Sequence, residues 1–370
     1  MKILHVYKDY APILGGIENH IRALAEAQAH RGHEVTVLVT NPHGRETVEE
    51  TLNGVRIIKA GRLATVASTP LSPGFAGWLP KLQPEMTHLQ SPYPLGEFAQ
   101  WFNGRGRPYV ISYQADINRP VQKLIMLAYG PLFQRILRGA ARVLITNPPF
   151  AANSPYLRHI QDKLALVPIG VDVSRFSPHP APAERPPTLL FVGQLRHYKG
   201  VDDLLRALKL LEKNVQLIIA GDGPMNTRWK VLTYELGLRE RVSFLGNVPE
   251  ADLPALYQRA DVFVLPSTSR AESYGTVLVE AMASGVPCVT TEIGSGNSFV
   301  VQHEKTGLVV PPRKPKALAA ALQRLLTDAA LRETFGQAGR ARAVAEFSAE
   351  TMVERVMQIY EEVLTVKREA

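Results

Sequence analysis

The stretch VFVLPSTSRAESYGTVLVEAMASGVPCVT, Val262 to Thr290, reads as strand, loop, helix and second strand within 29 residues. Val262–Leu265 is a short apolar run stopped by Pro266. Thr276–Ala283 has the apolar density of a buried helix and is followed by Ser284-Gly285, while Val286–Thr290 is apolar again. Strands joined through a helix run parallel, because antiparallel neighbours need only a hairpin turn. The loop Ser267–Gly275 then lies at the carboxyl end of a parallel sheet, where such sheets receive their ligands.

Working outward, the same alternation fills the chain. Toward the C-terminus come the strand Gly307–Val310 and the helix Lys316–Thr327. Toward the N-terminus come strands at Val242–Leu245, Val215–Ala220 and Leu189–Val192, with helices at Glu250–Arg259 and Val201–Lys213. The pattern breaks at SPHPAPAERPP, 177–187, whose five prolines and missing periodicity mark an interdomain linker. Before it the alternation recurs, with strands at Ile3–Tyr7, Val35–Thr40, Val55–Ala60, Val110–Tyr113, Val143–Thr146 and Ala165–Pro168, and a helix at Ile17–His30. A last helix runs from its N-cap Ser348 to about Val366, long enough to reach the other domain. The expected fold class is α/β: two Rossmann-like, doubly wound parallel-sheet domains facing across a cleft. The expected domains are 1–180 and 181–347, with 348–370 as a C-terminal helix packed back on the first.

Composition agrees and excludes other classes. A chain of 370 residues exceeds one ordinary core and suits two domains. With 45% hydrophobic and 21% charged residues it is neither disordered nor collagen-like. The single cysteine, Cys288, excludes an intrachain disulfide and a multi-cysteine zinc site. No apolar run reaches the ~18 residues of a membrane span. The opening MKILHVYKDY reads as a strand ended by Lys8 and Asp9 and not as a signal peptide, so the cytoplasm is expected. The formal net charge is +8. Residues 1–180 hold 19 Lys and Arg against 12 Asp and Glu, whereas 181–370 hold 23 against 22. A basic first half suits an anionic partner, and it equally serves solubility. Nucleic acid is not expected, since the basic residues are not interleaved with stacking aromatics.

Four places carry residue types suited to chemistry. Gly15-Gly16 precedes the first helix, where amides can approach an anion, although a plain tight turn has the same residues. GQLRHYKG, Gly193–Gly200, sets Arg196 and Lys199 at the end of a strand, able to neutralise a diphosphate leaving group or simply to be solvated. AGDGP, 220–224, is mainly a structural turn, with Gly223 the residue nearest a ligand. In the stretch quoted first, Glu272 precedes the helix and Glu280 lies one turn inside it, around the amides of Gly275, Thr276 and Val277. Amides for a diphosphate and carboxylates for sugar and ribose hydroxyls describe a sugar nucleotide, although acids near a helix start also arise for dipole reasons alone.

Gly15-Gly16, the YKG at 198–200, AGDGP, the E-x7-E at 272–280, EAMASGVPCV at 280–289 and TGLVVPP at 306–312 together resemble the retaining family 4 glycosyltransferases of the GT-B fold, over nearly the whole chain. The resemblance implies that Glu272 meets donor-sugar hydroxyls, Glu280 the ribose, and Lys199 the donor phosphate. It implies that Gly16 approaches the β-phosphate, that Gly246, Asn247 and Val248 receive the nucleobase, and that Gly15, Gly193, Gln194, Gly223 and Tyr274 line the donor site. It further implies metal-independent transfer with retention and no cofactor; no H-E-x-x-H or poised D-x-D contradicts this.

Three positions depart from the family pattern. ISYQADI, 111–117, has Gln114 where the family has a histidine near the transferred sugar, followed by Asp116 on the acceptor side; HLQSPYP, 88–94, has Gln90 where another histidine is frequent. Gln194 stands where the family has a phosphate-binding arginine, which Arg196 replaces if it reaches inward. A lost charged donor removes about 2–4 kcal/mol of transition-state stabilisation. The expected activity is therefore transfer of a hexose, mannose slightly favoured, from a GDP- or UDP-sugar to a saccharide or lipid-linked acceptor. The alternative is a sugar-nucleotide-binding protein whose transfer is weak or lost. Arg119 to Arg142 reads as core helix with a basic outer face interrupted at Gly130-Pro131, compatible with peripheral contact on the inner face of a membrane.

Overall fold

Two sheets carry the chain, each in its own unit. The structure, a computed structural model, describes residues 1–13, 15–66, 69–104, 106–114, 120–178 and 185–369, with only the backbone at 66, 120–128 and 368–369. The first unit comprises Met1–Thr146, Ala151–Gly170 and the C-terminal segment from Ala349; the second comprises Asn147–Phe150 and Val171–Ser348.

In the first unit the strands are β1 (Lys2–Val6), β2 (Glu34–Thr40), β3 (Val48–Leu52), β4 (Val55–Ala60), β5 (Ala64–Val66), β6 (Thr69–Leu71), β7 (Met86–Ser91), β8 (Tyr109–Tyr113), β9 (Arg142–Ile145) and β10 (Leu164–Leu166). Eight of them form one sheet in the order β10-β9-β8-β7-β1-β2-β4-β3, while β5 and β6 form a hairpin. All pairings in the large sheet are parallel except β3 with β4. Order reverses between β1 and β7, the switch point of this unit. Besides the β5–β6 hairpin, two strands of the large sheet escape the sequence pattern. β3, VEETL, is a wholly exposed edge strand. β7, MTHLQS, is wholly buried yet contains His88 and Gln90, which break its apolar run.

The second unit has β11 (Thr188–Val192), β12 (Gln216–Ala220), β13 (Val242–Gly246), β14 (Val262–Leu265), β15 (Cys288–Thr291) and β16 (Gly307–Val310), all parallel, in the order β13-β12-β11-β14-β15-β16. Its switch point lies between β11 and β14. The predicted helix Thr276–Ala283 is found with those bounds. The helix beginning at Val201 stops at Leu208, short of Lys213. A helix at Ala329–Phe347, unread in the sequence, packs on Thr276–Ala283; its buried face is mostly Gly336, Gly339, Arg342 and Ala343, too small and polar to show as an apolar stripe.

The first contacts of the second unit begin before the proline-rich linker. Val171 donates to the Phe347 carbonyl at 2.9 Å, Phe176 meets the Tyr257 ring edge-on, and Arg175 reaches the Glu250 carbonyl at 2.6 Å. Residues 179–184 of the linker lie outside the described residues. The final helix, Ala349–Glu369, belongs to the first unit. Met352, Val353, Val356 and Tyr360 join Ile3, Met86, Val110 and Leu144 in one core cluster. Full burial of such side chains contributes about 2 kcal/mol each, enough to hold this segment to the unit. The helix Pro120–Gly139 runs through Gly130 and Pro131 without interruption, correcting the expected break. Phe133, Ile136 and Leu137 are buried, while Arg135 and Arg138 face solvent.

Candidate active site

The switch point of the second unit sets two loops side by side. After β11 comes a short turn, His197–Lys199, closed by Gly200 in the left-handed region at φ 69°. A Cβ on Gly200 would stand 2.1 Å from the Pro266 carbonyl oxygen, so only glycine lets the two loops meet here. Thr268 then donates its amide to the Tyr198 carbonyl at 2.7 Å. This lacing turns Lys199 inward, where its Nζ pairs with Glu272 Oε2; each side chain is 10% exposed. Ser295 Oγ donates to the Glu272 carbonyl at 2.6 Å, and Ser267 Oγ lies 3.4 Å from the same carboxylate oxygen. Burial alone would lower the Lys199 pKa, but the Glu272 charge, Tyr198 and the Glu272 hydrogen bond hold it above the usual lysine value. The pair is thus a buried cation beside a carboxylate.

The helix Thr276–Ala283 opens immediately beyond. Gly275 precedes it in the left-handed conformation, no side chain caps it, and its first turn has no acid, so the amides of Thr276 and Val277 are uncapped by side chains. Glu280 accepts a hydrogen bond from Tyr257 at 2.7 Å; burial raises its pKa, opposed by that bond. Tyr274, expected at the donor, has its ring buried edge-on against Phe347.

The further expected donor residues lie at the end of β13 and in the loops that follow β11, β12 and β13. The position of a Cβ on Gly193 would be 3.6 Å from Lys199 Nζ. Gln194 and Arg196 are exposed, and Arg196 donates Nε to Gln194 Oε1 at 2.9 Å. Gly223 packs on Leu195, with its amide on the Asp222 carboxylate at 2.7 Å. Gly246 ends β13, followed by exposed Asn247 and half-buried Val248. Among the described residues, no three His, Cys, Asp or Glu side chains group as a metal site.

In the first unit Gly15 precedes the helix Gly16–His30 without a side-chain cap. The Glu18 carboxylate folds over that helix start, 2.2 Å from where a Cβ on Gly15 would be, and burial raises its pKa. Gln90 and Gln114 lie at the ends of β7 and β8, and Gln114 Nε2 donates to Gln90 Oε1 at 3.1 Å. The Gln90 Nε2 is buried with no hydrogen-bond partner among the described residues. Asp116 lies outside the described residues.

Sequence reading missed the supporting groups: Tyr257 on Glu280, and Ser267 and Ser295 on Glu272. It also missed a buried cluster in the first unit. His5 bonds Gln28 at 2.7 Å; His88 bonds Tyr360 at 2.6 Å and Ser112 at 2.7 Å; among the described residues the His20 ring nitrogens have no hydrogen-bond partner. No local motif announces these residues, because their partners come from distant strands and helices.

Doubly wound units with a cation, carboxylates and an uncapped helix start at a switch point are the architecture of nucleotide-dependent enzymes. Comparison with known families places the chain among them. Residues 173–342 match the family described as glycosyl transferases group 1, and residues 15–170 match the glycosyl transferase 4-like domain. The D-rhamnosyltransferase WbpZ of Pseudomonas aeruginosa is 32% identical over 94% of this chain and 93% of its own. The O-antigen chain mannosyltransferase C of Escherichia coli is 30% identical over 99% and 100%. A GDP-mannose-dependent alpha-(1-6)-phosphatidylinositol monomannoside mannosyltransferase of Mycobacterium tuberculosis is 27% identical over 96% and 97%. Among solved structures, the sucrose-phosphate synthase of Thermosynechococcus elongatus superposes with TM-score 0.79 at 25% identity, covering 98% of this chain and 99% of the other. HepE of Anabaena, solved with UDP-glucose, gives 0.77 at 20% over 99% and 100%. The chain belongs to the group 1 glycosyltransferases of family 4 and has their GT-B fold.

Proposed function

We propose that the protein transfers a hexose, mannose in the first instance, from a nucleoside diphosphate to a saccharide or lipid-linked acceptor, with retention and without a metal ion. The observation that carries this reading is the buried Lys199–Glu272 pair in front of the uncapped helix Thr276–Ala283. GDP-mannose is favoured as donor because the relatives above are a mannosyltransferase, a rhamnosyltransferase and a GDP-mannose-dependent enzyme. A UDP-hexose is the second choice.

In this reading the donor phosphate competes with Glu272 for Lys199. As it takes the lysine, the carboxylate is released to accept hydrogen bonds from sugar hydroxyls. The bond from the sugar anomeric carbon to the phosphate oxygen breaks and the bond to the acceptor oxygen forms on the same face. The acceptor proton passes to the departing phosphate, so no protein base is needed. Lys199 and the amides of Thr276 and Val277 meet the negative charge that grows on the diphosphate, an effect worth about 2–4 kcal/mol per preorganised donor. Glu280 holds the ribose. Any membrane contact is peripheral, since among the described residues no helix is long and apolar enough to cross a bilayer.

One observation favours a second reading, a sugar-nucleotide binder with little transfer: Arg196 rests on Gln194 in solvent rather than inside with Lys199. Nucleotide release from a panel of GDP- and UDP-sugars, run beside thermal-shift binding with Glu272→Gln as control, decides. Release with one donor, lost in the control, supports transfer. Stabilisation without release across saccharide and lipid-linked acceptors supports the binder. No response to any donor removes both.

A further inference from the structure

Away from the switch point, the second unit carries a groove of about 490 Å³ where the end of the helix Val201–Leu208 meets the start of the helix Pro315–Thr327. Arg206, Lys209, Arg313, Lys314 and Lys316 line it, and no carboxylate does. All five are exposed, and among the described residues none of their side chains has an ion-pair or hydrogen-bond partner. Cations elsewhere on the chain do find partners, as Arg56 does with Glu49 at 2.7 Å and Arg22 with Glu26 at 3.1 Å. The nearby Asp203 feels Arg206 and Arg313, but burial raises its pKa and it forms no ion pair with them. The helix Pro315–Thr327 begins with no acid in its first turn, so its dipole adds to the same positive field.

An apolar group completes the feature. Leu210, beside Lys209, is 56% exposed on the groove wall, with half-buried Leu236 behind it. A soluble anion would gain nothing from an exposed leucine. A bilayer surface would bury it while lipid phosphates met the surrounding cations.

We propose that this groove docks the second unit onto an anionic membrane surface, with its cations on lipid phosphates and Leu210 entering the headgroup layer. The contact weakens with salt, as screening shortens the reach of the charges. Each basic side chain near an anionic leaflet raises partitioning roughly fivefold.

Co-sedimentation of the full chain with vesicles tests the proposal. The wild type is expected to bind vesicles of equal phosphatidylcholine and phosphatidylglycerol and to ignore phosphatidylcholine alone. Reversing two groove charges, Lys314→Glu with Lys316→Glu, should lower partitioning roughly tenfold or more. Reversing two exposed charges of the first unit, Arg135→Glu with Arg138→Glu, should leave most of it. Leu210→Ser should weaken it severalfold. Thermal melting checks that these surface substitutions leave the fold intact. The proposal is overturned if the wild type stays in the supernatant, if the groove variant binds as the wild type does, or if the first-unit variant loses as much. A silent Leu210→Ser also overturns it and reassigns the groove to a soluble polyanion.

Discussion

Lys199 and Glu272 stand 73 residues apart in sequence and neutralise one another across the switch point between β11 and β14. Neither is exposed enough for water to take over the role of the other. Removing one partner leaves a buried charge, which destabilises by about 3 kcal/mol, whereas removing both is far less harmful. Lys199→Ala and Glu272→Ala should therefore each lower stability to urea by that order. The double variant Lys199→Met/Glu272→Leu should recover most of the loss while releasing no nucleotide. Additive losses in the three unfolding curves would show that the two charges do not depend on each other.

Gly200→Ala tests whether the lacing of the two loops sets this pair. The added methyl meets the Pro266 carbonyl, and the backbone is in the left-handed region. The loops must separate, at a cost of roughly 2 kcal/mol or more. Because Lys199 is the preceding residue, nucleotide release should fall about a hundredfold with it. A variant of normal stability and normal turnover would show that the contact relaxes freely.

Tyr257 donates the hydrogen bond that steadies the charged form of Glu280. A hydrogen bond to a charged group is worth about 1.5–3 kcal/mol. Tyr257→Phe should weaken nucleotide binding about tenfold by calorimetry and leave kcat nearly unchanged, as expected for a residue that positions the ribose contact. A fall in kcat with unaltered binding would assign Glu280 to the chemical step.

The buried histidines of the first unit predict acid sensitivity. Burial lowers His5 and His20 from 6.5 to about 4 and holds His88 well below 6.5. Each is neutral when folded and gains a proton when unfolded in mildly acidic solution. Their contribution to stability is therefore whole above pH 6.5 and is lost as pH falls from 6.5 toward 4. At pH 5 the loss is roughly 2 kcal/mol for each of His5 and His20. Urea unfolding at pH 7.5 and pH 5 measures it, and His20→Phe should flatten the dependence. Equal stability at both values would contradict the burial of these rings as neutral groups.

Much of the architecture was legible because strands buried on both faces are nearly continuous apolar runs. Val55–Ala60, Val262–Leu265 and Gly307–Val310 were found at their expected bounds. β7 was hidden because His88 and Gln90 break its run, and their partners Tyr360, Ser112 and Gln114 lie 272, 24 and 24 residues away. The helix Ala329–Phe347 was hidden because glycines and Arg342 replace the usual stripe. Within the candidate site, local spacing placed Glu272 before the helix and Glu280 inside it. It could not show that Tyr274 turns inward, that Arg196 lies on Gln194, or that Tyr257 holds Glu280. Those are tertiary choices, settled by which neighbour each side chain meets.

The loops that follow β11, β12 and β13 have a shared fate. Gly221 donates to the Gly246 carbonyl at 2.7 Å, Leu195 to the Asp222 carbonyl at 2.9 Å, and Met225 to the Leu195 carbonyl at 2.9 Å. A Cβ on Gly221 would fall 2.0 Å from the Gly193 carbonyl oxygen, so backbone rests directly on backbone. These segments pack as one unit. A chimera that imports one loop from a relative with another sugar preference would place foreign side chains against backbone it was not shaped for. Exchanging the segments that follow all three strands together keeps each contact with its own partner, and under the proposed function makes them the unit to exchange when donor choice is tested.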